Sequence, residues 1–369
     1  MKTTAAVIHE AGKALEIEEL DLEGPQEGEV LVRFTHAGLC HSDLHVMNGE
    51  IAGWLPMVLG HEGAGVVEEV GPGVTRVAPG DHVVCSFIPS CGSCHWCATG
   101  QQPICDWGAN TMRGHLPGEH WPLSGPSGRY GAMCMLGTFS QYGLIHQYSA
   151  VRIQPDLPLD VAALVGCGVP TGWGSATNAA DVRPGQTVVI YGVGGIGINA
   201  VQGARFAGAQ YVVAVDPVAF KREKALEFGA THAVESGEDA IMRAFEITNG
   251  VGADSAIVTV GVVGPKVVED AFNATRKLGT VVVVGLGPMM ENTIQLNGTI
   301  MTLYQKTVKG SLFGSSNPMH DIKNILSLYK AGQYKLDELV TKTYSLDDIN
   351  AGYDAMSAGE NIRGVIVYD

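Results

Sequence analysis

The sequence predicts an α/β protein of two domains, one β-rich and one built on a parallel sheet covered by helices. Three observations carry that reading. The chain has 369 residues, too many for one ordinary core. Its first ~155 residues read as short β-branched runs between Gly and Pro punctuation. From about Cys167 onward, strand-like and helix-like segments alternate.

In the first part, Glu29–Phe34 and Ala64–Val70 are the clearest strands, and Gly71-Pro72-Gly73 and Ala78–Asp81 mark turns. In the second, a helical stretch from Gly172 to Ala180 leads through Arg183-Pro184-Gly185 to a strand at Thr187–Tyr191. A Gly-rich turn, a helix of small residues at Gly197–Ala207 and a strand at Tyr211–Val215 follow. The rhythm continues with Lys221–Phe228 helical, Ala256–Val260 extended, Val267–Thr275 helical and Thr280–Val284 extended. Such alternation builds a parallel sheet covered by helices. The last ~60 residues break it, which points to a return to the first domain with the second as an insertion.

Composition excludes several classes of function. Apolar residues make up 46% and charged residues 17%, as in a globular protein. The beginning of the chain lacks the apolar core of a signal peptide, and no apolar run is long enough to span a membrane. A cytoplasmic protein is expected. A formal net charge of −15 argues against nucleic acid and reads as solubility.

Gly192-Val193-Gly194-Gly195-Ile196-Gly197 contains G-x-G-x-x-G between a predicted strand and a predicted helix, and Asp216 ends the next strand. In that setting Gly192 allows the tight turn, Gly194 lets the backbone approach a pyrophosphate, and Gly197 lets the helix pack closely. The helix N-terminus then offers N–H groups to phosphate. A carboxylate at Asp216 accepts ribose hydroxyls and repels a 2′-phosphate, so NAD is expected over NADP. Lys221 and Arg222 could soften that preference, or simply begin a solvated helix.

The eight cysteines divide into a cluster and four singles, Cys40, Cys85, Cys134 and Cys167. Cys91, Cys94, Cys97 and Cys105 stand as C-x2-C-x2-C-x7-C. Four thiolates this close can enclose one tetrahedral ion and leave no position open, which describes a structural zinc. Iron–sulfur ligation and disulfide pairing are the alternatives at that spacing. The second candidate, Cys40 with His61 and Cys167, is dispersed, and each residue alone reads as a buried thiol or a satisfied imidazole. Their neighbours favour chemistry: Cys40-His41-Ser42-Asp43, Gly60-His61-Glu62, and Gly166-Cys167-Gly168 just before the nucleotide domain.

These motifs, in this order, resemble the medium-chain, zinc-dependent alcohol dehydrogenases over essentially the whole chain. The stretch Gly60–Gly65, with Gly71 and Val74 following, is similar to that family's zinc signature. The resemblance implies a GroES-like catalytic domain at residues 1–168 and 312–369, around an inserted Rossmann domain with a doubly wound parallel sheet at 169–311. It implies two zinc ions per chain, with Cys40, His61 and Cys167 as catalytic ligands. That coordination is itself a standard example of a catalytic zinc site.

It further implies Ser42 and His45 as a proton relay, with Asp43 orienting His61 and Glu62 tuning the metal. Thr171, Gly195 and Ile196 join the Gly-rich turn at the cofactor, and Arg363 matches a family arginine at the pyrophosphate. His41 stands where arginine is common, so its phosphate contact is expected to be weaker. Phe87 and Phe139 match positions lining the alcohol pocket.

The start of the chain and Phe139-Ser140-Gln141-Tyr142 look most like the nicotinoprotein subgroup, which holds NAD tightly and recycles it with an external acceptor. The substrate implied is a primary alcohol or aldehyde, and the assembly a homodimer or homotetramer, with Val281–Leu286 and Thr299–Val308 as the segments to inspect for a subunit seam. Two other readings remain open: a thiol-dependent formaldehyde dehydrogenase, and a non-catalytic NAD- and zinc-binding sensor.

Overall fold

In the computed structural model, which describes residues 1–287 and 293–368, the chain falls into two units. One comprises Met1–Cys167 and Asn317–Asp369, the other Gly168–Ser316. The return crossing thus follows Ser316, a few residues beyond the 311/312 boundary expected from sequence. The reason is local. Gly314 has φ +64°, and a Cβ there would meet the carbonyls of Thr171 and Pro170 at 2.5 and 2.7 Å. Ser316 Oγ donates to the Pro170 carbonyl at 3.1 Å. Residues 313–316 are therefore packed into the second unit.

The first unit contains two sheets. Lys2–Ile8, Glu16–Leu22, Leu123–Gly125, Gly128–Ala132 and Met57–Val58 pair in a closed ring. The other sheet runs in the order Ala150–Arg152, His82–Cys85, Gly63–Val70, Glu29–Gly38, Arg363–Val367, Val340–Tyr344, with Tyr142–His146 also pairing with Glu29–Gly38. Val30, Val32, Phe34 and Val67 from its central strands lie in one apolar core with Leu59, Phe139 and Ile366. Arg363–Val367 pairs with Glu29–Gly38 through Val365 opposite Gly38, so the end of the chain completes this sheet.

That register gathers the sheet's chemistry at one end. Ala37 faces Gly63, and Gly63 faces Cys85, which brings the residues beyond these strand ends together. Gly166 is pressed against the same end, where a Cβ would stand 2.4 Å from the Cys85 carbonyl oxygen. Any larger residue would push Cys167 away.

The second unit has six parallel strands in the order His232–Val234, Tyr211–Val215, Thr187–Tyr191, Ala253–Val258, Thr275–Val283, Thr307–Gly310. This is the doubly wound order in which the chain reverses direction beside the first strand. The expected helix at Gly172–Ala180 is instead an α-helix at Gly168–Gly174 continued by a π turn at Ser175–Ala179. Pro170 falls in its first turn, where a missing N–H costs nothing, so the helix can begin ahead of it. The strand at His232–Val234 and the helix at Gly237–Ile247 had no counterpart in the sequence reading. Three partly buried residues are too short a run to show periodicity.

Candidate metal and nucleotide sites

Cys40 follows the strand Glu29–Gly38 and serves as N-cap of the helix His41–Met47. His61 leads into the strand Gly63–Val70, and Cys167 closes the first segment of the unit. One ligand atom from each of Cys40, His61, Glu62 and Cys167 lies within 4.8 Å of all the others, and all four residues are buried. A direct test of whether a metal fits is the imidazole. His61 Nε2 is buried and has no hydrogen-bond partner. Leaving such an atom bare costs on the order of 1–3 kcal/mol, so it calls for a ligand.

The opposite nitrogen fixes the ring. His61 Nδ1 meets Asp43 Oδ1 at 3.1 Å, and the Gly60 N–H donates to the same oxygen at 3.0 Å. With its proton on Nδ1, His61 presents a lone pair at Nε2, the form a metal requires. Burial alone would lower the His61 pKa, but Asp43 and Cys40 together raise it well above the usual value. Between the two buried thiols, the hydrogen bond from Cys167 holds Cys40 well below the thiol range, while Cys167 itself is held well above it. A shared proton of this kind is what a divalent ion would displace.

Glu62 is not free to be a fourth ligand. Its carboxylate is ion-paired with the Arg363 guanidinium, which also donates to the Leu39 carbonyl at 3.1 Å. Burial lifts the Glu62 pKa to about 7 against the pull of Arg363. Gly38 makes room for this pair, since a Cβ there would stand 2.2 Å from Glu62 Oε2 and 3.0 Å from Arg363 Nη2. Three protein ligands with the neighbouring carboxylate otherwise engaged is the pattern of a catalytic zinc. The sequence pointed to Glu62 and Arg363 separately; 301 positions apart, they gave no sign of being partners.

The relay candidates sit beside this centre. Cys40 Sγ lies 3.8 Å from Ser42 Oγ. His45 is buried on the helix His41–Met47, with Nδ1 paired to the carboxylate of Glu50, a partner the sequence reading missed. His41 is exposed at the start of the same helix. Phe87 packs edge-on to His61, with ring centroids 5.8 Å apart.

Phe139 is buried close to the same centre. It has no exposed surface and belongs to the apolar core, with its ring 6.3 Å from that of Tyr353. Its backbone N–H donates to the Leu59 carbonyl, and its carbonyl accepts from Ala6. Its ring also borders the residue before His61, since a Cβ on Gly60 would stand 2.7 Å from Phe139 Cδ1.

The four-cysteine lobe is self-contained. Cys91 and Cys97 sulfurs are 3.9 Å apart, as are those of Cys94 and Cys105. A tetrahedron of sulfurs around zinc has edges of about 3.8 Å, whereas a disulfide is about 2.0 Å. The N–H groups of Ser93 and Cys94 point at Cys91 Sγ, at 3.4 and 3.3 Å, and that of Cys97 points at Cys94 Sγ at 3.5 Å. Burial would raise the Cys91 thiol, but these N–H donors bring it down to about 6. Burial acts the other way on its neighbours, raising the Cys97 thiol and pushing Cys105 up to about 12, so without an ion the lobe favours one thiolate among its four sulfurs.

In the second unit the Gly-rich turn has room where a ligand would need it. Gly192 has φ +83°, and a Cβ there would lie 2.9 Å from Val260 backbone atoms. A Cβ on Gly197 would lie 1.9 Å from the Gly192 carbonyl oxygen. Around Gly194, by contrast, nothing lies within 4 Å, leaving a bare cradle before the helix Gly197–Phe206. Gly195 and Ile196 complete the turn, and the Gly195 carbonyl accepts from Asn199 Nδ2 at 2.8 Å.

Asp216 is buried, accepting from the N–H groups of Val193 at 3.0 Å and Val218 at 2.9 Å, so its carboxylate is fixed beside the turn. Arg222 is committed to the carbonyls of Asp216 and Pro217, both at 2.8 Å, and is not held ready for a 2′-phosphate. Lys221 lies partly buried in the first turn of the helix Ala219–Glu227. Thr171 is buried in the helix Gly168–Gly174, its carbonyl accepting from Ser175 Oγ at 2.6 Å.

Residues 26–155 match the family model described as alcohol dehydrogenase GroES-like domain, and residues 195–331 match zinc-binding dehydrogenase. The chain is 59% identical to an NDMA-dependent alcohol dehydrogenase of Amycolatopsis methanolica, over all of this chain and 99% of that one. It is 57% identical to a putative alcohol dehydrogenase D of Mycobacterium tuberculosis, over the full length of both. Among solved structures, benzyl alcohol dehydrogenase from Acinetobacter calcoaceticus superposes with a TM-score of 0.94 at 32% identity, again over both full lengths.

Proposed function

Because the chain belongs to the zinc-dependent, medium-chain alcohol dehydrogenases, we propose that it acts on a primary alcohol or aldehyde with NAD that stays bound and is recycled by an external acceptor. The single observation that carries the chemistry is the convergence of Cys40, His61 and Cys167, with the Glu62 carboxylate engaged by Arg363. Zinc in that setting supplies Lewis acidity and NAD supplies the hydride acceptor.

The chain's own residues do the rest. Asp43 orients His61, and the Arg363 guanidinium, paired with Glu62, places a positive charge beside the thiolates. Ser42 takes the alcohol's proton, and His45, held by Glu50, passes it on toward solvent. Phe87 forms an apolar wall beside His61. The Gly194 cradle with Gly195 and Ile196 receives the pyrophosphate, and Asp216 selects NAD over NADP.

Bound, non-exchanging NAD is supported by the likeness to the NDMA-dependent relative. The test is the amount of NAD plus NADH released per chain on denaturation after exhaustive desalting. Near one nucleotide per chain is expected. Near zero, with zinc retained, would overturn tight binding and leave an ordinary dehydrogenase that exchanges NAD on each cycle.

Assembly and compartment belong to the same proposal. Thr307–Gly310 is an edge strand of the parallel sheet, and Leu278, Leu303 and Tyr304 near it are exposed, which supports a homo-oligomer formed along that edge. All eight cysteines are free, in keeping with a reducing cytoplasm. Among the described residues no helix is long and apolar enough to cross a membrane.

A further inference from the structure

A cavity in the first unit, about 490 Å³ in volume, is lined by none of the candidate metal ligands. Its walls are Trp54 and Trp121, with His115, and its rim carries Arg113, Arg129 and Glu119. The two indole rings lie 4.7 Å apart, and His115 lies 5.4 Å from Trp121. Trp54 is 48% exposed, an unusual state for so large an apolar side chain.

The aromatic wall is built in by the backbone. Gly114 has φ +86°, and a Cβ there would stand 3.0 Å from Trp54 Cβ and 3.2 Å from Trp121 Cζ3. The Gly114 carbonyl is fixed by the Ala132 N–H at 2.9 Å, and the neighbouring Leu116 N–H is fixed to the His120 carbonyl. His115 Nδ1 lies 2.8 Å from the Leu116 carbonyl, which can only accept, so the ring proton sits on Nδ1. Nε2 is then left for another group.

The guanidinium groups are the second observation. Among the described residues, neither Arg113 nor Arg129 makes a side-chain hydrogen bond or ion pair, in a chain whose formal net charge is −15. Most other arginines here are engaged with carboxylates or carbonyls, as Arg33, Arg76, Arg222, Arg276 and Arg363 are. Against Glu119, the two leave the rim with a net positive charge. Arginine binds carboxylate or phosphate through a planar fork, and paired aromatic rings bind a planar ring by stacking.

We propose that this cavity is a second ligand site, selective for a planar aromatic anion. The ring lies against Trp54 and Trp121, and the anionic group meets Arg113 and Arg129. Two sources would present that chemistry: an aromatic electron carrier with an acidic group, or the acidic tail of an aromatic alcohol.

The probe is 2-naphthoate, with 2-naphthamide as its neutral counterpart, titrated by calorimetry and tryptophan emission into the zinc- and NAD-loaded protein. Naphthoate should quench tryptophan emission and bind about tenfold or more tighter than the amide. The doubly substituted Arg113→Gln, Arg129→Gln protein should lose that advantage while turning over a small aliphatic alcohol as before. Both side chains are exposed, so folding is not at risk, and Trp54→Ala should remove the quenching separately. Inhibition by naphthoate that competes with the external acceptor would identify a carrier, and competition with an aromatic alcohol would identify a substrate tail; either supports the site. Equal binding of acid and amide, or acid binding unchanged by the arginine substitutions, would overturn it.

Discussion

The two cysteine-bearing centres solve the same coordination problem in opposite ways. In the lobe, Cys91 to Cys105 come from one short loop whose own N–H groups point at the sulfurs. At the proposed catalytic centre, the candidate ligands extend from Cys40 to Cys167 and meet only because several strand ends register with one another. The first centre holds together its own loop. The second depends on an entire sheet and spends that rigidity on holding three ligands while Asp43 and Arg363 engage the neighbouring groups. With the proposed roles, one site governs stability and the other governs turnover.

The sharpest way to break that contrast is to remove one ligand from each. Cys167→Ser should reduce alcohol oxidation by about a thousandfold or more, since Lewis-acid stabilisation of developing charge is lost. Zinc should fall from two to about one per chain, while the melting temperature moves by only a few degrees, because the sheet is completed by backbone pairing. Retention of a tenth of the activity would show that these three residues are not the working ligands.

The opposite pattern is expected at the lobe. Cys97→Ser should also release about one zinc per chain, but its main effect should be loss of stability, because the metal's binding energy is here folding energy. Activity of the protein that remains folded should stay within about threefold of the parent at low temperature, as expected for well-separated sites. A Cys97→Ser protein that kept its melting point but lost turnover would reverse the two roles.

The same contrast explains what could be read from sequence. Contiguous spacing made the lobe and the Gly192–Gly197 turn legible, because each is a local structure whose geometry is set by adjacent residues. Cys40, His61 and Cys167 could be joined only through resemblance, since nothing in spacing predicts that Gly166 must pass against the end of His82–Cys85. The Glu62–Arg363 pair and the Trp54–Trp121 wall were invisible for the same reason: both require tertiary neighbours.

A smaller effect sharpens the lobe's side of the comparison. Trp107 and Tyr148 pack against the lobe's cysteines, and His146 packs against both, with ring centroids 4.7 and 4.3 Å away. Its Nδ1 accepts the Tyr148 N–H at 3.2 Å, so that nitrogen must stay unprotonated. Burial, reinforced by Arg76, pushes the His146 pKa down to about 4. An unfolded histidine titrates near 6.5, so as pH falls below that value the unfolded chain takes up a proton that the folded one refuses until about pH 4. Folding is therefore weakened between pH 6.5 and 4 and unaffected by this group above 6.5. With partial solvent access allowed for, the loss at pH 5 is roughly 1 kcal/mol. Urea unfolding at pH 7.5 and 5.0 should show His146→Gln less sensitive to acid than the parent by about that amount. Equal sensitivity would mean that acid acts elsewhere, and the aromatic packing around His146 would then add nothing specific to the lobe.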